Sequence, residues 1–83
     1  MNLVVLTPDK QIYDGAVTSV KVPGVSGQFE VLNGHAPIVS ALDMGVVRII
    51  EDNGDKKEYT IQSGFIEVIN NEVAILAQGL VTS

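Results

Sequence analysis

The sequence predicts an all-β domain, and three observations carry that prediction. Valine and isoleucine together number 21 (13 plus 8), against 6 leucines and 5 alanines. Branching at Cβ restricts χ1 in a helix and packs well on a pleated surface, so the bias favours strands throughout. Turn signals built from Gly, Pro, Asn and Asp recur at roughly the 8–12-residue spacing of sandwiches and barrels. Between them the apolar residues alternate with polar ones, most cleanly from Ala16 to Val22. Eight glycines and three prolines supply the turns.

Asn2 to Thr7 reads as the first strand, closed by the turn Thr7-Pro8-Asp9-Lys10, where proline's fixed φ suits the second position. Gln11 to Asp14 resumes extension, and Gly15 is expected to interrupt it as a bend or bulge. Ala16 to Val22 then places Thr18, Val20 and Val22 on one face and Val17, Ser19 and Lys21 on the other. Pro23-Gly24 and Ser26-Gly27 mark a loop or tight hairpin. Ile38 to Leu42 has partly helical spacing but is short and follows a proline, so it is assigned as strand. Gly45 ends it, and Val46 to Glu51 is the next strand. Asp52-Asn53-Gly54-Asp55 predicts a hairpin with a type I′ turn, because Asn-Gly tolerates positive φ. Lys56 to Gln62 returns, Ser63-Gly64 bends the chain, and Phe65 to Ile69 extends. Asn70-Asn71 predicts a second two-residue turn before Glu72 to Ala77, and Leu80 to Ser83 reads as a loose tail.

The stretch Gly27 to Pro37 is the candidate site. It holds the only histidine and one of the three prolines. Phe29 and Val31 alternate as a short strand feeding the turn Asn33-Gly34, and Pro37 restricts the direction in which the loop leaves. A rigid loop aimed in this way, with His35 at its tip, suits a contact surface. A single histidine without a second ligand or a nucleophile pattern does not make a metal site or a general base, so its ring is expected to bond loop backbone or face a partner.

The bulk numbers exclude much else. Eighty-three residues make one small domain, residues 1 to 83, and a chain of this size buries only about 60% of its unfolded surface. With no cysteine there is neither a disulfide framework nor a Cys-based zinc site. The net charge of −5 and the scattered five basic residues argue against nucleic acid. No apolar run approaches the roughly 18 residues that span a bilayer, and Leu3 to Leu6 lacks the flanks of a signal peptide, so a soluble chain is expected. Gly24, Gly27 and Gly34 fit neither a dinucleotide fingerprint nor a phosphate loop, so no cofactor or nucleotide binding is expected. Asp52, Asp55 and Glu58 gather at a hairpin end, where carboxylates keep a sheet edge soluble, and Lys56-Lys57 reads as a solvated strand face. An enzyme is disfavoured. Two binding-type functions remain. A small acidic β-domain can be a carrier with a modified lysine at a hairpin tip, although Asp9-Lys10 and Asn53-Gly54 lack the tip sequences of lipoyl and biotinyl domains. The other is a structural subunit, whose surplus apolar surface (46% hydrophobic residues) marks an interface.

Thr7-Pro8 and the Gly34-His35-Ala36-Pro37 core resemble the epsilon subunit of F-type ATP synthases. Gly45 to Ile49, Ser63 to Val68 and Val73 to Ala77 fit that family in the same order, so the resemblance covers essentially the whole chain. It implies a flattened β-sandwich of two roughly five-stranded antiparallel sheets, the amino-terminal domain of that subunit. It also implies a non-catalytic piece of the central stalk that joins the gamma subunit to the c ring and couples proton transport to ATP synthesis. The expected location is peripheral, on the cytoplasmic face of an energy-transducing membrane, most simply the bacterial plasma membrane. The residues that the resemblance assigns to contacts with gamma and the ring are Gln28, Glu30, Asn33, Gly34, His35, Ala36 and Pro37.

Departures from the family pattern bear on that assignment. The family usually carries an acid where Gln28 stands, a glycine at Glu30 and a proline at Asn33. Glu30 moves the charge by two residues, which keeps it on the same strand face. The family also commonly adds a carboxy-terminal helical hairpin that can inhibit the enzyme, and nothing after Leu80 is expected to form it.

Overall fold

The computed structural model describes residues 1–80, and among them it forms eight strands and no helix. They are β1 (Asn2–Leu6), β2 (Gln11–Gly24), β3 (Gly27–Leu32), β4 (Ile38–Leu42), β5 (Gly45–Glu51), β6 (Lys56–Ile61), β7 (Ser63–Ile69) and β8 (Glu72–Gln78). No helix is long and apolar enough to cross a membrane among the described residues.

Strand β2 organises the fold because it belongs to both layers. Its first half, Gln11 to Ala16, pairs with β1, and β1, β8, β7 and β4 continue from there as a five-stranded layer. Its second half lies between β3 and β5, and β6 completes a four-stranded layer. Gly24 at the end of β2 touches Leu42 of β4, so the layers meet again there. Fourteen residues at about 3.3 Å each would reach roughly 46 Å, yet the longest dimension of the molecule is 28 Å. The strand therefore has to coil from one layer to the other.

It does so at a bulge between Val17 and Ser19, where the register against β5 slips by one residue. The expected interruption at Gly15 is thus absent, and the extra residue is Thr18 instead. A bulge adds one residue to one strand and resets its facing. Val17, expected opposite to Val20 and Val22, is buried together with them. Gly15 has a different reason for lacking a side chain. A Cβ there would lie 3.0 Å from Oη of Tyr13, whose ring covers it. The Tyr13 hydroxyl donates to Oε2 of Glu51 at 2.7 Å. Burial, and then this bond to a carboxylate, push the phenol up to about 12.

Seven of the eight strand pairings are antiparallel, as expected; the β1–β8 pair is parallel, Leu3 lying against Val73 and Leu6 against Leu76. A parallel pair needs a long crossover, and here nearly the whole chain supplies it, β1 and β8 being the first and last strands. Alternation fills the core: in β8, Val73, Ile75 and Ala77 point inwards, with Glu72, Leu76 and Gln78 outwards. Fifteen apolar residues from all eight strands except β4's upper half and β3's ends form one cluster. Leu80, read as tail, packs against it; residues 81–83 lie outside the described residues.

The turns follow backbone chemistry. Asn70 and Asn71 both take positive φ (49° and 61°), which closes β7 onto β8 with two residues as expected. At the β5–β6 hairpin only Gly54 does so (92°). Its N–H donates to the Glu51 carbonyl at 2.8 Å, and the Glu51 N–H to the Asp55 carbonyl at 2.8 Å. That is a three-residue loop with a glycine bulge, not the type I′ turn expected at Asn53-Gly54. The side chain of Asn53 explains the difference, because its Oδ1 accepts the Asp55 N–H at 2.9 Å and holds Asn53 on the ordinary side of φ.

Candidate functional site

Strand β3 is an edge: it pairs with β2 along one side, Val31 against Val20 and Phe29 against Val22, both pairs turned inwards. The intervening residues therefore face out. Gln28 lies opposite Pro23, Glu30 opposite Lys21 and Leu32 opposite Ser19. The seven sequence-predicted residues do not converge on one point. Five residues of strand at about 3.4 Å each separate Gln28, beside the β2–β3 turn, from Asn33 at the far end, roughly 17 Å away. Gln28 and Glu30 share a face, as expected; Asn33 to Pro37 form a separate loop at the other end of the strand.

That loop is anchored at three points. Gly34 holds φ +78°, and the His35 N–H donates to the Leu32 carbonyl at 3.1 Å, closing the turn. The Gly34 N–H donates to Oδ1 of Asn71 at 2.8 Å. The Met1 ammonium donates to Oδ1 of Asn33 at 2.6 Å. Asn71 also accepts the Asn2 N–H on its main-chain carbonyl at 3.0 Å. One asparagine in the β7–β8 turn thus ties β1 and the histidine loop together. His35 is half-buried, and its Nδ1 lies 2.7 Å from the Ala36 carbonyl. A carbonyl can only accept, so Nδ1 is the donor in this contact. The ring bonds loop backbone, as expected, while Ala36 and Pro37 are exposed.

Sequence reasoning missed the row of charges to which Glu30 belongs. Glu30, Lys21, Arg48 and Glu58 sit directly opposite one another across β3, β2, β5 and β6. Nε of Arg48 donates to Oε2 of Glu58 at 3.0 Å, both side chains more than half exposed, a contact of small net strength. The Glu30 carboxylate accepts the Ser19 hydroxyl at 2.5 Å, and Ser19 is the one buried polar residue among the described residues. Opposite charges on neighbouring strands are far apart in sequence, so only the register reveals them.

The outer face of the other layer is the reverse. Ala41, Phe65, Leu76 and Leu6 form one row across β4, β7, β8 and β1, and Val39, Glu67, Ala74 and Val4 form the next. Val39 is 71% exposed, Phe65 55% and Leu76 52%. This is the surplus apolar surface that the composition implies, concentrated on one side.

The body is layered, with one charged face, one largely apolar face and a clamped loop between them. The sequence matches, over residues 1–83, the family described as ATP synthase, Delta/Epsilon chain, beta-sandwich domain. The chain belongs to that family. The ATP synthase epsilon chain of Prochloron didemni is 43% identical over 79 residues, covering 95% of this chain and 57% of that one. The corresponding chain of Chlorobium limicola is 38% identical over 76 residues, covering 92% and 86%. Among solved structures, a chain of the Euglena gracilis mitochondrial ATP synthase (OSCP/F1/c-ring) superposes with a TM-score of 0.85 at 26% identity, covering 95% of this chain and 51% of that one. The chain thus spans somewhat over half the length of the Prochloron relative. Family membership fits the structural-subunit expectation and leaves the carrier alternative without support.

Proposed function

We propose that this chain is the β-sandwich unit of an epsilon-type subunit in the central stalk of an F-type ATP synthase. In this reading residues 1–83 act as a single domain that joins the gamma subunit to the c ring. It catalyses nothing itself, and it sits on the face of the energy-transducing membrane that carries the catalytic head, which in bacteria is the cytoplasmic face. The family match along the whole chain carries the reading. The mechanical demand is that rotation of the ring reach gamma without slack. A body whose two layers share one continuous strand, β2, resists shear between them because sliding would break both ladders of that strand.

Gln28, Glu30, Asn33, Gly34, His35, Ala36 and Pro37 are the residues we assign to gamma and the ring. Gln28 and Glu30 are exposed on β3, and the Asn33–Pro37 loop is held by Asn71, so neither has to be ordered when a partner binds. The test is reconstitution with purified gamma and c ring of the same organism. Stoichiometric capture by both, with restored coupled proton pumping, supports the reading. Failure of the chain to bind either one would end it.

A further inference from the structure

The five cationic residues are scattered in sequence, yet the fold brings four of them to one place. Lys21, Arg48, Lys56 and Lys57 line a recess of about 240 Å³ on the outer face of the four-stranded layer, together with Glu30 and Glu58. Lys10, in the turn between β1 and β2, lies elsewhere. Four cations less two carboxylates give the recess a formal charge of +2. The other eight carboxylates and Lys10 carry −7, which together with the recess makes the chain's −5. Positive potential is thus confined to one recess on an otherwise acidic body.

The register explains the convergence. Lys21 and Arg48 stand directly opposite each other on β2 and β5, so their Cβ atoms lie about 4.5–5.5 Å apart. Ser19, Ile50 and Lys56 form the next row on the same face. Lys56 is therefore the diagonal neighbour of Arg48, about 7–8 Å away and within reach of side chains of this length. Buried Ser19 and half-buried Ile50 keep the floor between them low. Both carboxylates already have partners, Glu30 in the Ser19 hydroxyl and Glu58 in Nε of Arg48. That bond runs through Nε, which leaves the two terminal amino groups of Arg48 as donors. Lys21 and Lys56 make no ion pair among the described residues.

We infer that this recess binds one small soluble anion of the phosphate class, inorganic phosphate or a compact phosphate monoester. A guanidinium and two ammonium groups converge there, and both kinds of donor suit phosphate oxygens. The volume lies below the roughly 300–1,000 Å³ of sites for drug-sized ligands, so the occupant is a single phosphate group on a small body. An extended polyanion or an anionic membrane would also meet the negative charge outside the recess, which disfavours both.

The probe is inorganic phosphate, titrated into the full chain at low ionic strength and followed on the main-chain amides, with chloride at matched ionic strength as the blank. Saturating shifts should gather at Ser19, Lys21, Arg48, Ile50 and Lys56, with a Kd on the order of millimolar. One unit charge at contact distance in water is worth about fivefold, so Arg48→Gln and Lys56→Gln should each raise Kd by about that factor. Glu30→Gln keeps the acceptor for Ser19 and removes a competing charge, so it should lower Kd, a gain that a damaged fold does not mimic. Lys10→Gln makes the same charge change outside the recess and should leave Kd within about twofold. Equal shifts with chloride overturn the inference. So does a loss in Lys10→Gln as large as that in Lys56→Gln, because net charge alone would then explain the binding. Capture of the chain by vesicles of phosphatidylglycerol and phosphatidylcholine, lost in Lys56→Gln and without any response to inorganic phosphate, would make the ligand a lipid headgroup and refute the soluble anion. None of these results touches the stalk reading, which is tested by capture on gamma and the c ring.

Discussion

Replacing Gly34 with valine separates the loop's conformation from the stability of the sandwich. Gly34 holds φ +78°, and a Cβ built on it meets no atom within 4 Å. The cost is therefore backbone strain alone, about 1–3 kcal/mol for a β-branched residue held at positive φ. The loop has a cheaper way out. If position 34 relaxes to negative φ, its N–H leaves Oδ1 of Asn71, a bond of 2.8 Å worth about 0.5–1.5 kcal/mol net. The smaller of the two costs caps the loss, so Gly34→Val should destabilise by about 1 kcal/mol. A domain of this length has on the order of 4–12 kcal/mol in total, so the sandwich stays folded while His35 is misaimed. Urea unfolding measures the first part. The amide of residue 34 and the His35 ring resonances report the second, and under the proposed stalk role assembly with gamma and the c ring should weaken. Asn71→Gly is the matched control, because it removes the same acceptor and keeps a residue at ease with φ 61°. A loss above about 4 kcal/mol would mean that the turn belongs to the core, and unchanged stability with an unmoved loop would mean that the positive φ is not enforced.

Gly64→Ala should be far worse than its size suggests. The new methyl collides with the Leu76 carbonyl oxygen, which cannot rotate away, so β7 and β8 must spread, at about 1–3 kcal/mol or more; an unchanged urea midpoint would contradict this. The raised phenol of Tyr13 predicts an alkaline weakness. The folded state keeps a proton that the unfolded state gives up, so the stabilisation is complete below pH 10 and is lost as pH rises towards 12. The difference in urea midpoint between wild type and Tyr13→Phe should therefore shrink over that range, and a flat difference would refute it. Glu30→Gln keeps an acceptor for Ser19 and removes only the charge, whereas Glu30→Lys adds a cation beside Lys21 and Arg48. If Glu30 contacts a basic ring loop, both should reduce coupled proton pumping at low salt, less so at high salt. Impairment by lysine alone would trace to the sheet and not to the ring.

The legible part of the fold is the part fixed by neighbours in sequence. Asn70-Asn71 closes a two-residue turn because asparagine tolerates positive φ, and Asn33-Gly34 turns because glycine does. Ile38 to Leu42 is a strand despite its helical spacing, since the residues that cover it lie on β7. What failed was fixed across space. The bulge at Thr18 exists because β2 must serve two layers within 28 Å, and no window of sequence contains that requirement. Gly15 looked like an interruption and is a seat for the Tyr13 ring. The loop residues around His35 are visible as a stretch, but their clamp, Asn71, lies 37 positions beyond Gly34, where the sequence signals only a turn.

The composition also held a quantity that could not be placed from sequence. Hydrophobic residues are 46% of the chain, while fifteen of them make up the buried core. Alternation alone predicts an apolar face and a polar face for every strand, which would leave both outer surfaces alike. Except for Glu67, the two middle outward rows of the five-stranded layer are apolar as well, Val39, Phe65 and Leu76 among them. In the four-stranded layer the outward positions carry Glu30, Lys21, Arg48 and Glu58. Strands apolar on both sides belong in the middle of something larger. In the proposed stalk role this asymmetry would assign directions: the five-stranded layer is the side suited to a protein cover, and the charged layer the side suited to water or a polar loop. The clamped histidine loop joins β3 of one layer to β4 of the other, so any partner seated on it reaches both surfaces.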